Sequence, residues 1–170
     1  MNVLKALPVM LALAAAWSCA NAAADFVVVQ RGTSDLGDTA PTFLRSFTLP
    51  TNVNRSGTIA NSAVLDLEVF GSEYAFNEVY INPPPDAVCT ADGSGDPNQS
   101  ASIGHLQPHG DDHLKNEWAT NHIAFSSGLL NTNGTTNKVM ICVRDIFGNL
   151  VSNLDNISVR SIVLHYHTTS

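Results

Sequence analysis

The sequence predicts an all-β protein: a single antiparallel β-sandwich of seven or eight short strands with one long loop. Alternation gives the first indication, because Val139, Ile141 and Val143 share one face of a strand, with Lys138 and Arg144 on the other. Turn-forming residues separate the apolar runs, and no stretch reads as a convincing helix. Short strands with turns between them are typical of a sandwich.

Each predicted strand ends at turn residues. The first is an apolar run that begins at Phe26, and the second is ended by Pro50. The clearest strand of the first half directs its apolar side chains to one face and Asp66 and Glu68 to the other. The predicted strands are 25–31, 43–49, 58–70, 78–82, 118–125, 138–146 and 157–167.

The last predicted strand has apolar residues on both faces. Its two sets are Ile157, Val159 and Val163 on one side, and Ile162, Leu164 and Tyr166 on the other. A strand of this kind is usually central in a sheet or buried in a sandwich, which predicts an interior position.

The C-terminal third carries four short motifs in a fixed order. They are Thr136-Asn137, the alternating strand 139–143, the turn Gly148-Asn149 and the segment 154–159. In this order they resemble the end of galactose-binding-like β-sandwich domains. The resemblance implies a jelly-roll architecture and, more distantly, sugar binding, because one sandwich hosts many functions.

The same resemblance implies a structural calcium held by an acidic residue just before the last strand. Asp155 matches that position, and Asp25, Asp35 or Asp38 would supply oxygens from the other end of the domain. The alternative is that Asp155 and Asn156 only form an Asx turn into the strand.

Residues 1–22 form a predicted signal peptide, with Lys5 before an apolar stretch too short to span a bilayer. Cleavage is expected after Ala22 or Ala24, which leaves 23–170 as one domain of about 148 residues. A lipid anchor at Cys19 is the alternative, although Trp17 stands where such sites need a small residue. The mature protein is therefore expected outside the cytoplasm, extracellular or periplasmic, and not membrane-spanning.

The charge of the chain argues against nucleic acid as a partner. Loss of Lys5 with the signal peptide changes the formal net charge from −7 to −8, and the remaining basic residues are scattered. Phosphate binding needs clustered lysines and arginines. An extracellular glycan or protein is the expected ligand.

Two cysteines, Cys89 and Cys142, remain after cleavage, and an oxidising compartment favours one disulfide between them. Such a bridge stabilises the fold by about 4 kcal/mol in the chain-entropy model. A reactive thiol has no support, because neither cysteine has an adjacent histidine or lysine.

The long loop is predicted over 83–117, where functional or disordered segments are common. Its first half places Asp92 and Asp96 among glycines, an arrangement that suits calcium or simply a solvated loop. Its second half gathers His105, His109, Asp111, Asp112 and His113, which are possible zinc ligands. No recognised metalloenzyme spacing occurs there, so histidines without a ligand are the alternative.

His165 and His167 lie two residues apart and hence on one face of the last strand, together with Ser161. Such a pair can hold a metal against a neighbouring strand or lie on a solvated face. Serine hydrolase chemistry has no basis, because GxSxG does not occur.

Three functions fit this sequence. The first is a secreted non-catalytic module that binds carbohydrate through loops of the sandwich, with Trp118 and Tyr74 as stacking residues and the acidic and histidine-rich loop as further contacts. The second is a structural or adhesin-type protein that recognises a protein partner. The third is a metal-dependent enzyme that uses the segment from His105 to His113, for which no nucleophile or base has a positioned partner.

Overall fold

A computed structural model describes residues 23–56, 62–73, 77–89, 101–108, 117–145 and 153–169, and the predicted signal peptide lies outside them. The described part contains nine strands and one short 3-10 turn, so the predicted all-β class is confirmed. Two of the strands are only two or three residues long, which is why the sequence predicts seven or eight. The strands are β1 (Ala23–Gln30), β2 (Ser34–Leu36), β3 (Thr42–Thr48), β4 (Ser62–Phe70), β5 (Glu78–Ile81), β6 (Gly104–His105), β7 (Trp118–Ser126), β8 (Thr136–Cys142) and β9 (Ile157–Thr168).

The strands form two antiparallel sheets that pack face to face. The five-stranded sheet has the order β1-β9-β4-β7, with β2 also paired to β9, and the four-stranded sheet has the order β3-β8-β5-β6. Apart from the short β2, this is the strand order of a jelly roll, in which the first strand lies beside the last and most connections cross between sheets. The predicted jelly-roll-like sandwich is therefore confirmed.

The core lies between the sheets and follows from the alternation of each strand. On β4 every second side chain is fully buried and the others are partly exposed. The four-stranded sheet contributes its own inward set from β5 and β8. The fully buried residues that these strands direct into the main core are Ala63, Leu65, Leu67, Val69, Val79, Val139 and Ile141.

A β-bulge interrupts the alternation of β9. Ser161 has a φ of 51°, and the register of β9 against β4 shifts between Asp66 and Glu68. Beyond the extra residue, side chains at even positions face the core instead of those at odd positions. Ile157 and Ile162, on either side of the bulge, therefore both face the core. The prediction of two apolar faces is therefore wrong, whereas the predicted central position is confirmed, since β9 lies between β1 and β4.

The chain after β5 covers the outer face of the four-stranded sheet. Cys89, on this segment, is bonded to Cys142 of β8, which confirms the predicted disulfide. The backbone N–H of Cys89 donates to Thr42 Oγ1 at 3.2 Å. Tyr80 and Met140 complete a second buried cluster around the bridge, separate from the main core. The bridge therefore fastens this segment onto the sheet.

Residues 83–117 are not one structureless loop. β6 pairs with β5, and Leu106, just after β6, is fully buried in the main core. The backbone N–H of Gln107 donates to Asn121 Oδ1 at 2.6 Å, which joins this segment to β7. The predicted long loop over 83–117 is therefore interrupted, because 101–108 supplies a strand and a core leucine.

Candidate functional site

The outer face of the five-stranded sheet, the side turned away from the core, carries aromatic and charged side chains together. At one end Trp118 of β7 pairs with Phe70 of β4, and their ring centroids are 5.6 Å apart. The guanidinium carbon of Arg160 lies 3.8 Å from the centroid of the Trp118 ring, a cation–π contact. Trp118, one of the predicted stacking residues, is thus held in place on this face while remaining partly exposed.

Glu68 fixes Arg160 in its position over the tryptophan. Arg160 Nε lies 2.6 Å from Glu68 Oε2, and both side chains are about one-third exposed. The hydrogen bond from Arg160 lowers the pKa of Glu68, and burial opposes this only in part; a second hydrogen bond, from Ser161, lowers it further. Arg160 lies directly opposite Glu68 in the pairing of β4 with β9, next to the β9 bulge at Ser161.

Asp66 lies next along β4 and binds two histidines. Its Oδ1 is 2.7 Å from His122 Nδ1 on β7, and its Oδ2 is 3.1 Å from His165 Nε2 on β9. The ring of His165 is 6.2 Å from that of Phe26 on β1, an exposed aromatic residue. One carboxylate thus joins the strands β9, β4 and β7 across the outer face and leaves the second nitrogen of each imidazole for other contacts.

The described residues do not assemble a metal centre. No group of three or more histidine, cysteine, aspartate or glutamate side chains within them is arranged to hold a metal ion. His167, the partner predicted for His165, has a buried Nδ1 without a hydrogen-bond partner in the described part. His109, Asp111, Asp112, His113, Asp92, Asp96 and Tyr74 lie outside the described residues, and zinc or calcium binding there stays a prediction.

Asp155 is buried and already accepts hydrogen bonds from the protein. Its Oδ2 accepts from Asn77 Nδ2 at 2.6 Å and from the Glu73 backbone N–H at 3.0 Å. Calcium requires six to eight oxygen ligands, and among the described residues Asp155 does not belong to a group of three or more acidic, histidine or cysteine side chains that could hold a metal. A structural calcium at Asp155 stays a prediction.

The acidic residues proposed to help Asp155 differ in their distance from it. Asp38 Oδ1 accepts from the backbone N–H of Leu154 at 2.9 Å, and Asp35 Oδ1 accepts from Ser158 Oγ at 2.6 Å, so both lie near the start of β9. Asp25 is paired with Tyr166 near the far end of β9. Nine residues of strand span about 30 Å. Asp25 therefore lies too far along β9 to share one ion with Asp155. Burial, and after it the neighbouring charge of Asp25, raise the pKa of Tyr166.

A buried ion pair lies on the outer side of the four-stranded sheet. Arg144 Nε donates to Glu78 Oε2 at 2.8 Å, and Tyr80 Oη donates to the same oxygen at 2.7 Å. Burial and then the hydrogen bond to Glu78 raise the pKa of Tyr80 above its usual range. All three groups are nearly inaccessible, so we assign them to the stability of the fold rather than to ligand binding.

The sequence identifies only part of this site. Trp118 is predicted as a ligand contact, and alternation places Asp66 and Glu68 on the side of β4 away from the core. Among their partners, His165 is named in the sequence analysis only as a possible metal ligand beside His167, and His122 and Arg160 are not predicted. Each contact depends on the pairing of strands that are far apart in the sequence.

Comparisons with known proteins leave the family of the chain open. No family model matches it, and no curated protein matches it, so the resemblance to galactose-binding-like domains stays a prediction. Among solved structures, the chain is similar to a β-porphyranase of glycoside hydrolase family 86 from the human gut bacterium Bacteroides plebeius, with 12% identity and a TM-score of 0.43. The match covers 86% of this chain and 21% of that chain. At these values the similarity assigns neither a family nor an activity.

Within the described ranges no helix is long and apolar enough to cross a membrane. The protein is a disulfide-bonded β-sandwich whose five-stranded sheet carries an aromatic and charged outer surface.

Proposed function

We propose that this protein is a secreted, non-catalytic module that binds carbohydrate through the outer face of its five-stranded sheet. The observation that carries the proposal is the position of Trp118, partly exposed on that face and held there by Arg160 and Phe70. The proposed surface is the sheet itself rather than the loops that the sequence favours.

The chemistry of a sugar matches this combination of side chains. A pyranose ring has an apolar C–H face that packs against an aromatic ring, and a rim of hydroxyl groups that need hydrogen-bond partners. Beside Trp118, the outer face offers the guanidinium of Arg160 and the carboxylate of Glu68, whose mutual ion pair fixes their geometry before a ligand arrives. Because these side chains are already ordered, a ligand that binds here has little conformational entropy cost to overcome.

Secretion belongs to the same proposal. The predicted signal peptide and the disulfide between Cys89 and Cys142 both suit an oxidising compartment, extracellular or periplasmic. In such a location the net negative charge favours solubility and disfavours polyanions such as nucleic acid.

A glycan array followed by calorimetry tests the proposal. The purified protein should bind a defined group of glycans without cleaving them, and Trp118→Ala should weaken that binding by about tenfold or more, since 1.4 kcal/mol corresponds to a factor of ten. The matched control is Leu44→Ala, an exposed apolar residue on β3 of the other sheet. Circular dichroism of both variants verifies that the sandwich is retained.

Two results would count against the proposal. One is an array on which no glycan binds, which would favour a protein partner. The other is a Trp118→Ala variant that binds as the wild type does, which would move the binding surface away from the outer face.

A further inference from the structure

A shallow pocket lies on the outer face beside the β9 bulge. It has a volume of about 310 Å³ and is lined by Val28, Gln30, Arg31, Ser161 and Val163. Val28 and Val163 are directly paired across β1 and β9 and form an apolar pair within the lining. Neither the predicted ligand contacts nor the Trp118 end of the face includes this pocket.

Irregularities in two neighbouring strands coincide with the pocket. The register of β1 against β9 shifts between Val28 and Gln30, and Ser161 of β9 has its left-handed φ of 51° at the same level. Bulges bend strands and increase their twist locally, and they often occur next to binding sites. A β-branched residue at position 161 would be strained in this left-handed backbone conformation. The shape of the pocket at the bulge therefore depends on which residue occupies position 161.

The hydrogen bonds of Gln30 occupy its side chain, so Arg31 and Ser161 are the polar lining residues that remain for a ligand. Gln30 Nε2 donates to Gly32 O at 2.8 Å and to Ser34 Oγ at 2.9 Å, and its Oε1 accepts from Arg45 Nε at 2.8 Å. These bonds fix the backbone turn that follows β1, where Arg31 is exposed. Arg31 is the only charged residue of the pocket lining.

Positive charge collects around the pocket although the chain as a whole is acidic. Arg31 lines the pocket and Arg45 lies behind it, bonded to Gln30. Within the part of the chain that the structure describes, neither arginine forms an ion pair with a carboxylate. Beside the bulge, Glu68 of β4 lies opposite Arg160 of β9 and forms an ion pair with it. Asp66 of β4 lies opposite Val163, a residue of the pocket lining, and its carboxylate is bonded to His122 and His165.

We propose that this pocket binds the anionic group of an acidic sugar, a carboxylate or a sulfate, through Arg31. The sugar ring lies against Val28 and Val163, and the guanidinium forms a charge-assisted, bidentate hydrogen bond with the anion. Ser161 lines the pocket and directly follows Arg160, which contacts both Glu68 and Trp118, so the two subsites are adjacent on the outer face. This inference rests on the proposed carbohydrate binding and adds the class of sugar that the surface selects.

Single sugars serve as probes, so that the pocket is tested independently of Trp118. Glucuronate, glucose 6-sulfate and glucose are titrated into isotope-labelled protein, and the backbone amide shifts of Val28, Arg31, Ser161 and Val163 are followed by NMR. We expect at least one of the two acidic probes to shift these amides, with glucose producing little change. The acidic probe that acts distinguishes a carboxylate from a sulfate ligand.

Arg31→Gln removes the charge and keeps much of the side chain. It should weaken binding of the active probe by about tenfold or more. The matched control is Arg55→Gln, which removes the same charge from an arginine that donates to Gly128 O, remote from the pocket. Added salt should weaken binding to the wild type and to the control variant alike.

Three results would overturn the inference: neither acidic probe shifts the pocket amides, glucose shifts them equally, or Arg31→Gln binds as tightly as Arg55→Gln. Trp118→Ala separates this failure from failure of the proposed function. If longer glycans lose affinity in Trp118→Ala but not in Arg31→Gln, carbohydrate binding stands and the acidic subsite is rejected. If no glycan binds to the protein and the probes still act at Arg31, the pocket is an anion site of another function, and its assignment to sugars is wrong.

Discussion

Asn77 Nδ2 donates a 2.6 Å hydrogen bond to Asp155 Oδ2, between two side chains that are buried below the surface of the sandwich. Asn77 Oδ1 in turn accepts from the backbone N–H of Arg144 at 2.9 Å. Two side chains thus join three segments that lie far apart in the sequence: the connection before β5, the end of β8 and the approach to β9. At the position where the resemblance to galactose-binding-like domains implies calcium, the protein's own N–H groups bind the carboxylate.

Replacement of Asp155 by alanine should destabilise the protein by about 3 kcal/mol. The substitution removes the hydrogen bonds that the Asn77 amide and the Glu73 N–H donate to this carboxylate, and the loss of an acceptor by a buried donor costs about 1–3 kcal/mol. Chemical denaturation gives the free energy of unfolding. Asp38→Ala is the control, because this exposed carboxylate accepts one backbone hydrogen bond and should cost about 1 kcal/mol. Equal stability of Asp155→Ala and the wild type would contradict the hydrogen-bonding role.

The same variant tests the calcium prediction. If calcium contributes at Asp155, EDTA lowers the melting temperature of the wild type, and Asp155→Ala abolishes that sensitivity. A wild-type melting temperature that EDTA does not change would leave hydrogen bonding as the role of this carboxylate.

Leu106→Ala should cost about 3 kcal/mol, although the sequence places this residue in a long loop. Leu106 is fully buried in the main core, and removal of a leucine side chain from a core leaves a cavity that relaxes only in part. For the same reason, a Gly/Ser linker in place of 92–113 should prevent stable folding, because it also removes β6.

The control for Leu106 is Val88→Ala, whose side chain is exposed in the same region of the sequence. It should change the free energy of unfolding by less than about 0.5 kcal/mol. If the protein with the linker in place of 92–113 folds with the same free energy of unfolding as the wild type, the buried leucine contributes little to stability.

Local patterns in the sequence predict the fold because each depends on near neighbours. The buried face of β4 follows from alternation alone, and the disulfide follows from two cysteines in an exported chain. β6 carries no such pattern, since two residues become a strand only when β5 lies beside them. The bulge at Ser161 is likewise invisible in a hydrophobicity pattern, and it shifts half of β9 by one residue.

The binding surface could be predicted only in pieces for a related reason. His122 meets Asp66 across 56 positions of sequence, and Arg160 meets Glu68 across 92. Both contacts require the register between strands of one sheet, and register is a property of tertiary structure. Trp118 could be singled out because tryptophan is rare in this chain, but the cation that covers its ring could not.

The ion pair between Glu68 and Arg160 should be visible as a titration. The hydrogen bond from Arg160 lowers the pKa of Glu68 in the folded protein, whereas the unfolded chain has the ordinary value. A group with a lowered folded pKa stabilises the fold above its ordinary pKa, and this contribution is lost as the pH falls through the lowered value. The contribution is therefore complete at neutral pH and disappears only in acid.

Arg160→Ala should bring the pKa of Glu68 back toward its ordinary range, as measured by NMR of the side-chain carboxyl carbon. Ser161→Ala should produce a smaller rise, because its hydrogen bond lowers the pKa less. In the wild type, protonation of Glu68 releases Arg160 from its position 3.8 Å from the Trp118 ring, so the indole fluorescence should change in the same acidic range. A fluorescence transition that persists unchanged in Arg160→Ala would mean that Trp118 responds to another group, and the ion pair would then not be what holds the tryptophan in place.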